Sequence, residues 1–280
     1  MEIVKTIREV RKQIKEWKKQ GLSIGLVPTM GYLHEGHKSL IDKAVRENDK
    51  VVVSVFVNPI QFGPKEDLEA YPRNIERDKE LCESSDVNII FNPEASEMYF
   101  QDRCTHVDVD ELTEGLCGAK RPGHFTGVCT VVSKLFNIVA PDRAYFGEKD
   151  AQQLAVIKRM VRDLNFDIEV IGCSIVREED GLAKSSRNIY LSKEERQAAL
   201  VLSRSLRRAQ ELLKGGEKDA VLVKKAIEEE INKERLAKID YIQIVDSESL
   251  KAVEEVNKSV LTAIAVFIGK TRLIDNFTFN

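Results

Sequence analysis

The spacing of apolar residues changes repeatedly along the 280-residue chain. Near the N-terminus Ile3, Ile7, Val10, Ile14 and Trp17 recur every three or four positions among lysines, arginines and glutamates. That period puts one apolar stripe on a helix, so the chain is expected to open with an amphipathic helix. Residues 23–29 form a short apolar run closed by Pro28 and read as a buried strand. Helical spacing returns over 36–48. The next run, KVVVSVFV at 50–57, is almost wholly β-branched or aromatic, as in a strand covered on both faces. The same logic predicts helices over 73–84, 124–139 and 151–163. It predicts strands over 88–92, 143–146 and 167–176.

Strands alternating with helices imply an α/β architecture, a Rossmann-like parallel sheet with right-handed crossovers. Ligands of such sheets bind beyond the carboxyl ends of the strands. The pattern changes near Val176. Two charged helical stretches, 193–214 and 220–234, surround Gly215-Gly216. DYIQIV (240–245), LTAIAVFI (261–268) and a strand over 273–279 follow, the last two joined by a Gly269-Lys270 turn. The expectation is a sheet domain over 1–175 and a smaller C-terminal α+β domain over 176–280. There is no internal repeat.

Composition narrows the classes. Charged residues are 32% and hydrophobic residues 42%, with a net charge of -3. That balance gives no global drive toward nucleic acid or an anionic membrane. No apolar run approaches the ~20 residues of a membrane span, and charges interrupt any leader-like segment at the N-terminus. Cys82, Cys104, Cys117, Cys129 and Cys173 are scattered without a CxxC pair. They read as reduced thiols of a cytoplasmic protein and fit no usual structural zinc pattern.

The unusual residues fall just after predicted strands. PTMGYLHEGH, residues 28–37, carries His34 and His37 around a glycine. HxxH departs from the HExxH spacing of a zinc site and has no evident third ligand. Two readings stay open from these residues: a phosphate site at a helix N-terminus, or two solvated histidines in a turn. VFVNPIQFG, residues 55–63, runs a strand into Asn58 and Gln61, whose amides could orient a polar substrate or form an ordinary Asn-Pro turn. RPGHFTGV, residues 121–128, opens a helix, where His124 caps or packs and Arg121 is an anion contact or solvated. YFGEKDAQQL, residues 145–154, sets Lys149 and Asp150 at another strand-to-helix corner. Lys149 suits a phosphate and Asp150 a helix cap; Gln152 and Gln153 read as exposed helix surface. DGLAKSSRNIYLS, residues 180–192, forms a hydroxyl-rich cationic loop that could close over a triphosphate or serve as a linker.

Together HxGH after the first strand and the KSSR loop after the last resemble the nucleotidyltransferase superfamily, with its HxGH and KMSKS-like motifs. The ordered set PTMGYLHEGH, FVNPIQFG, YPR, RPGHFTGV, YFGEKDAQQL and DGLAKSSRNIYLS narrows this. It resembles the pantothenate synthetase (pantoate–β-alanine ligase) family. The resemblance implies an ATP-dependent ligase of vitamin B5 and coenzyme A biosynthesis, homodimeric, with ATP and Mg2+ and no tightly bound cofactor. Pantoate would be adenylated with loss of pyrophosphate, and β-alanine would then displace AMP.

Carried over, the resemblance implies His37, Lys149 and His34 as catalytic residues. Met30, Gly36, Gly147, Asp150, Val176, Lys184, Ser185, Ser186 and Arg187 would bind ATP. Gln61 and Gln153 would hold pantoate, and Gln61, Asn58 and Tyr71 β-alanine. Metal ligands are not assigned. Residues 176–280 would act as a lid. Tyr32, Lys38 and Thr126, which flank motif residues, stand where Ala, Leu and Arg are frequent in the family; Lys184 stands where Met or Leu is more usual and makes the loop more cationic.

Overall fold

The computed structural model describes residues 1–64 and 66–280. Its elements in chain order are β1 (Glu2–Val4), α1 (Ile7–Lys19), β2 (Ile24–Thr29), α2 (Glu35–Glu47), β3 (Lys50–Val55), α3 (Ile75–Glu83), β4 (Ile89–Phe91) and α4 (Ala95–Met98). They continue with α5 (Leu116–Lys120), α6 (His124–Val139), β5 (Arg143–Gly147), α7 (Ala151–Asp163) and β6 (Glu169–Cys173). The last are α8 (Lys193–Ala198), α9 (Leu200–Lys214), α10 (Ala220–Ile231), β7 (Ala237–Asp246), β8 (Val260–Ile268) and β9 (Thr271–Phe279). None of the described helices is long and apolar enough to cross a membrane.

The chain divides into two compact units. The first is Met1–Asp110, Arg121–Glu148 and Gln153–Ser174; the second is Glu111–Lys120, Lys149–Gln152 and Ile175–Asn280. The second unit thus takes two short segments from the span that the sequence reading gave to the sheet domain.

Unit one is built on a six-stranded parallel sheet of order β1-β4-β3-β2-β5-β6. From β2 the chain moves one way to β3 and β4 and the other way to β5 and β6. The order reverses between β2 and β5, where Gly25 pairs with Arg143 and Leu26 with Ala144. Ligands of such sheets bind beside that reversal, at the carboxyl ends. Val51, Val53, Val27, Ile90 and Tyr145 from the strands pack with Leu40 and Ile41 of α2 in one buried cluster. Each such side chain contributes about 1.5–3 kcal/mol on leaving water.

The opening differs from the expected helix. Glu2–Val4 is an edge strand paired with Ile89–Phe91, and α1 starts only after Thr6. The cause is a capping box: the Thr6 side chain accepts from the Glu9 amide while Glu9 returns to the Thr6 amide. Ile3 shares the helical period but lies on the strand. The predicted helix over 193–214 is likewise two helices. α8 has its own capping box from Ser192 and Glu195 and stops at Ala199.

Unit two carries the antiparallel sheet β7-β8-β9. β8 turns into β9 through Gly269, whose φ of +57° suits a residue without a side chain. Leu202 and Leu206 of α9 and Val223 and Ile227 of α10 share a core with Ile264 and Val266 of β8.

One close approach in unit one shapes the site. α6 passes the short 3-10 turn Pro59–Gln61 so tightly that a Cβ on Gly127 would lie 2.5 Å from the Ile60 carbonyl oxygen and 2.7 Å from the Gln61 nitrogen. Backbone cannot swing aside as a flexible side chain can. Gly127→Ala is therefore expected to cost about 1–3 kcal/mol of stability, the usual size of an overpacking penalty. At Gly147 an added Cβ would meet nothing within 4 Å, so Gly147→Ala should stay within about 0.5 kcal/mol of the parent. Urea denaturation of the two variants checks both, and equal losses would contradict the argument.

Candidate active site

The turn leaving β2 is built before the first histidine appears. Thr29 donates through Oγ1 to the Ser54 carbonyl at 2.7 Å and accepts from the Gly31 amide at 3.1 Å. Gly31 has φ +80°, and a Cβ there would lie 2.9 Å from both Asp78 Oδ2 and Val55 Cγ1. Tyr32 follows at φ +51°. Two successive left-handed residues leave amides that β2 and α2 cannot pair. Asp78, buried on α3, accepts both, from Tyr32 at 2.9 Å and Leu33 at 2.6 Å. Burial pushes the Asp78 carboxyl above its ordinary range; the two amides and Arg77 counter only part of that.

His34 and His37 sit where this turn enters α2. His34 is the N-cap, and its Nδ1 accepts from the Gly36 amide at 3.1 Å. His37 Nδ1 accepts from the His34 amide at 3.3 Å. The rings lie tilted by 38° to one another with centroids 4.1 Å apart. A ring nitrogen that accepts carries no proton, so in both histidines the ring hydrogen belongs to Nε2. The pair therefore offers Nε2–H donors at a helix N-terminus, where the amides and the dipole favour anions. Among the described residues no group of three or more His, Cys, Asp or Glu side chains is placed to hold a metal ion.

The amides after β3 form a connected set with Met30. Asn58 is buried. Its Nδ2 donates to Gln61 Oε1 at 3.0 Å and to the Gly127 carbonyl at 3.1 Å, and its Oδ1 accepts from the Tyr99 hydroxyl at 2.8 Å. Gln61 Nε2 donates to Met30 Sδ at 2.9 Å. The structure thus brings Met30, Asn58 and Gln61 together, with Asn58 behind Gln61. Tyr71 is buried edge-on against Phe62, ring centroids 5.9 Å apart. Gln153 is half-buried, and its amide makes no hydrogen bond with another described residue. Gln152, read from the sequence as helix surface, is buried in unit two. It donates to the carbonyls of Leu112 and Gly115 and accepts from the Gly118 amide.

A second set holds the main chain at Gln61. His124 Nδ1 lies 2.9 Å from the Gln61 carbonyl, which can only accept, so the ring proton is on Nδ1. His124 Nε2 then accepts from Arg121 at 3.0 Å. Arg121 is bidentate on Glu66, both bonds 2.7 Å. Burial alone would raise the Glu66 carboxyl, but Arg121 and the Gly63 amide hold it below the ordinary range.

Unit two carries a cationic group of its own. Lys149 donates to the Lys184 carbonyl at 3.3 Å, and its own carbonyl accepts from Asn276 at 2.7 Å. Burial lowers the Lys149 pKa and Arg187 lowers it further, against the opposing pull of Asp150 and Asp275. The Val176 carbonyl accepts from the Lys184 amide, closing a narrow hairpin. Arg177 anchors that hairpin to buried Asp275 with two bonds of 2.7 and 2.9 Å. Ser185 caps the following short 3-10 helix, accepting from the Arg187 amide. Lys149, Lys184 and the Ser185–Arg187 turn are thus one connected group.

Unit one thus carries two histidine donors at the sheet reversal and a cluster of amides, and unit two carries lysine and arginine beside serines. The sequence profile described as Pantoate-beta-alanine ligase matches residues 2–278. The chain belongs to this family. The pantothenate synthetase of Clostridium acetobutylicum is 68% identical over 280 residues, all of both chains. That of Enterococcus faecalis is 67% identical over 279 residues, spanning 100% of this chain and 99% of the relative. Among solved structures, pantothenate synthetase from Thermus thermophilus superposes with a TM-score of 0.94 at 47% identity, covering 99% of each chain. Pantoate-beta-alanine ligase from Francisella tularensis, complexed with beta-gamma ATP and beta-alanine, gives 0.80 at 36%, covering 99% of this chain and 97% of that one. As a pantoate–β-alanine ligase the protein condenses pantoate with β-alanine to pantothenate, using ATP and forming a carbon–nitrogen bond.

Asp78, Glu66 and Tyr99 were not singled out from the sequence, since their partners lie 45, 55 and 41 residues away along the chain. Losing Asp78 leaves two amides without their acceptor. Each unsatisfied group costs about 1–3 kcal/mol, and relief from burying a carboxylate offsets part of the sum. Asp78→Ala is expected to lose roughly 1–3 kcal/mol of stability net and to lower kcat/KM for ATP, with Asp78→Asn, which keeps one acceptor, in between. Urea denaturation and kinetics with ATP varied check this; an Asp78→Ala enzyme unchanged in both would remove the carboxylate from its role.

Proposed function

We propose that this ligase works through an acyl adenylate, with the two histidines and Lys149 meeting the charge that develops on ATP. The observation that carries the reading is the histidine pair, whose Nδ1 atoms are both used as acceptors and whose Nε2–H donors sit at the N-terminus of α2. A carboxylate is a poor electrophile, so activation must precede amide formation. A pantoate carboxylate oxygen attacks the α-phosphorus, the bond to the bridging oxygen breaks, and pyrophosphate leaves. The β-alanine nitrogen then attacks the acyl carbon and loses a proton, and AMP departs with the former carboxylate oxygen. Positioning and charge stabilisation do most of such work.

In this assignment Met30, His34 and Gly36 lie along ATP, and His37 and Lys149 face the reacting phosphates. Lys184, Ser185, Ser186 and Arg187 hold the phosphates, while Gly147, Asp150 and Val176 contact the adenosine. The open space that a Cβ would find at Gly147 supports close approach by a ligand there. Gln61 and Gln153 hold pantoate; the unengaged Gln153 amide supports this. Gln61 and Tyr71 serve β-alanine, with Asn58 acting through Gln61, to which its own amide is bound. Magnesium would enter with ATP, held by phosphate oxygens and water, as suits an ion that keeps several waters. A cytoplasmic homodimer completes the reading, and five free thiols are compatible with it.

Isotope tracing tests the route. Oxygen-18 in the pantoate carboxylate is expected to appear in AMP; label in inorganic phosphate instead would mean an acyl phosphate and overturn the adenylate.

Kinetics test the roles. A contact made with developing charge shows in kcat, whereas one made equally with ground and transition states shows in KM. His37→Ala and Lys149→Ala should lose about 10²–10³ in kcat, as when an oxyanion donor is removed. Gln153→Ala should chiefly raise the pantoate KM. Because burial and Arg187 depress the Lys149 pKa, its charge is lost as pH rises through a value below the ordinary lysine range. The alkaline limb of kcat should fall there and be absent from the residual activity of Lys149→Ala. A variant with normal kcat and only a raised ATP KM would make Lys149 an affinity residue.

A further inference from the structure

Gln61 could in principle present either end of its amide to a substrate, and its neighbours decide which. Behind it lies Asn58, itself an amide with two possible orientations. The Gly127 carbonyl resolves the first choice. It can only accept, so the Asn58 atom 3.1 Å away must be Nδ2. The carbonyl is brought there by the glycine-only contact between α6 and the Pro59–Gln61 turn. With Nδ2 so placed, Oδ1 faces the Tyr99 hydroxyl at 2.8 Å, which donates. Burial pushes the Tyr99 hydroxyl up, so it keeps its proton at any physiological pH. The second Nδ2 hydrogen then meets Gln61 at 3.0 Å, and the atom receiving it must be Oε1. Gln61 is left with its donor end, Nε2, on the side of Met30. One Nε2 hydrogen goes to the thioether sulfur, a weak acceptor that a substrate oxygen can replace.

We infer that Tyr99 is a positioning residue for pantoate recognition: together with the Gly127 carbonyl it holds the Asn58 amide that sets the polarity of Gln61, so that the site offers an N–H donor and selects an acceptor oxygen of the hydroxy acid. The inference rests on Gln61 being a pantoate contact and adds the device that orients it. The arrangement is directional. Tyr99 donates to Asn58, Asn58 donates to Gln61, and Gln61 donates to the substrate. Each link uses the acceptor end of one group and leaves the donor end for the next. Flipping Asn58 would set its Oδ1 against the Gly127 carbonyl, two acceptors, and flipping Gln61 would set its Nε2 against Asn58 Nδ2, two donors.

The test is a double-mutant cycle on the full-length enzyme. Tyr99→Phe removes one hydroxyl and keeps the ring that packs 6.2 Å from Phe56. It is expected to raise the pantoate KM about fivefold, within the worth of one hydrogen bond, with kcat and the ATP KM unchanged. In a Gln61→Ala background the same substitution should change the pantoate KM by less than about twofold, because no amide remains to be oriented. Gln61→Glu gives an independent readout: it keeps the length of the side chain but presents an acceptor, so it should bind pantoate more weakly than Gln61→Ala does. Tyr99→Phe with a normal pantoate KM, or with an equal effect in both backgrounds, would overturn the relay while leaving Gln61 as a pantoate contact. A normal pantoate KM in Gln61→Ala would bring down the underlying assignment and the relay with it. Should Tyr99→Phe fail to fold, the order of the Gln61→Glu and Gln61→Ala affinities decides alone, and Gln61→Ala binding as weakly as or more weakly than Gln61→Glu refutes the polarity claim.

Discussion

The carboxylate of Asp78 is the constraint on which the first unit's site depends. A parallel sheet whose strand order reverses leaves a turn at its carboxyl edge, and that turn must change direction within a few residues. Here it does so through Gly31 and Tyr32, both at positive φ. The conformation leaves the amides of Tyr32 and Leu33 unpaired, and a buried orphan amide is too costly to persist. Asp78 accepts both. It does so although burial raises its pKa, so ionisation there has a cost at neutral pH that eases as pH falls through that raised pKa. What the fold obtains is a rigid entry into α2, which presents His34 and His37 in one geometry.

A second constraint, steric rather than electrostatic, sits across the same sheet edge. Gly127 lets α6 approach the turn after β3 until backbone meets backbone. The carbonyl so delivered orients Asn58, and His124 at the start of the same helix holds the Gln61 main chain. Side chain and backbone of one glutamine are therefore governed by one helix terminus. The bidentate Glu66–Arg121 pair completes that support. Such second-layer contacts hold a functional group close to its working position.

Much of this was legible in the sequence, for identifiable reasons. Strands covered on both faces and one-sided helices leave different periods, so the α/β alternation and the change near Val176 could be read directly. HxGH and KSSR could be read because local backbone geometry determines what they present. The T-x-x-E signature at Thr6 and Glu9 was also local, yet the period of Ile3 with Ile7 masked it. Asp78, Glu66 and Tyr99 have no local signature at all. Each acts on a segment more than forty residues away in sequence, and only the fold brings donor to acceptor. Asn58 illustrates the intermediate case. Its position after a buried strand fits an ordinary Asn-Pro turn as well as a substrate contact, and only the fold shows the three hydrogen bonds that tie it to Gln61, Gly127 and Tyr99.

On the proposed reading, each unit meets anionic substrates by different physics. In the first, the donors are neutral: imidazole Nε2–H groups and amides, which discriminate by direction more than by charge. In the second, Lys149 is desolvated beside Arg187, and the carboxylates of Asp150 and Asp275 offset only part of the cost, since the pKa remains depressed. Asp275 is moreover bound twice by Arg177, so its charge is shared. A cation held in this way is stabilised by any anion that joins it. Relief of that unfavourable state adds to the attraction for a polyphosphate, and it grows where negative charge is greatest. Neutral donors fix geometry without favouring any charged intruder, and a destabilised lysine responds to charge without demanding a single geometry. Adenylation requires both, because the acid must be aligned before charge develops and the charge must be met when it does.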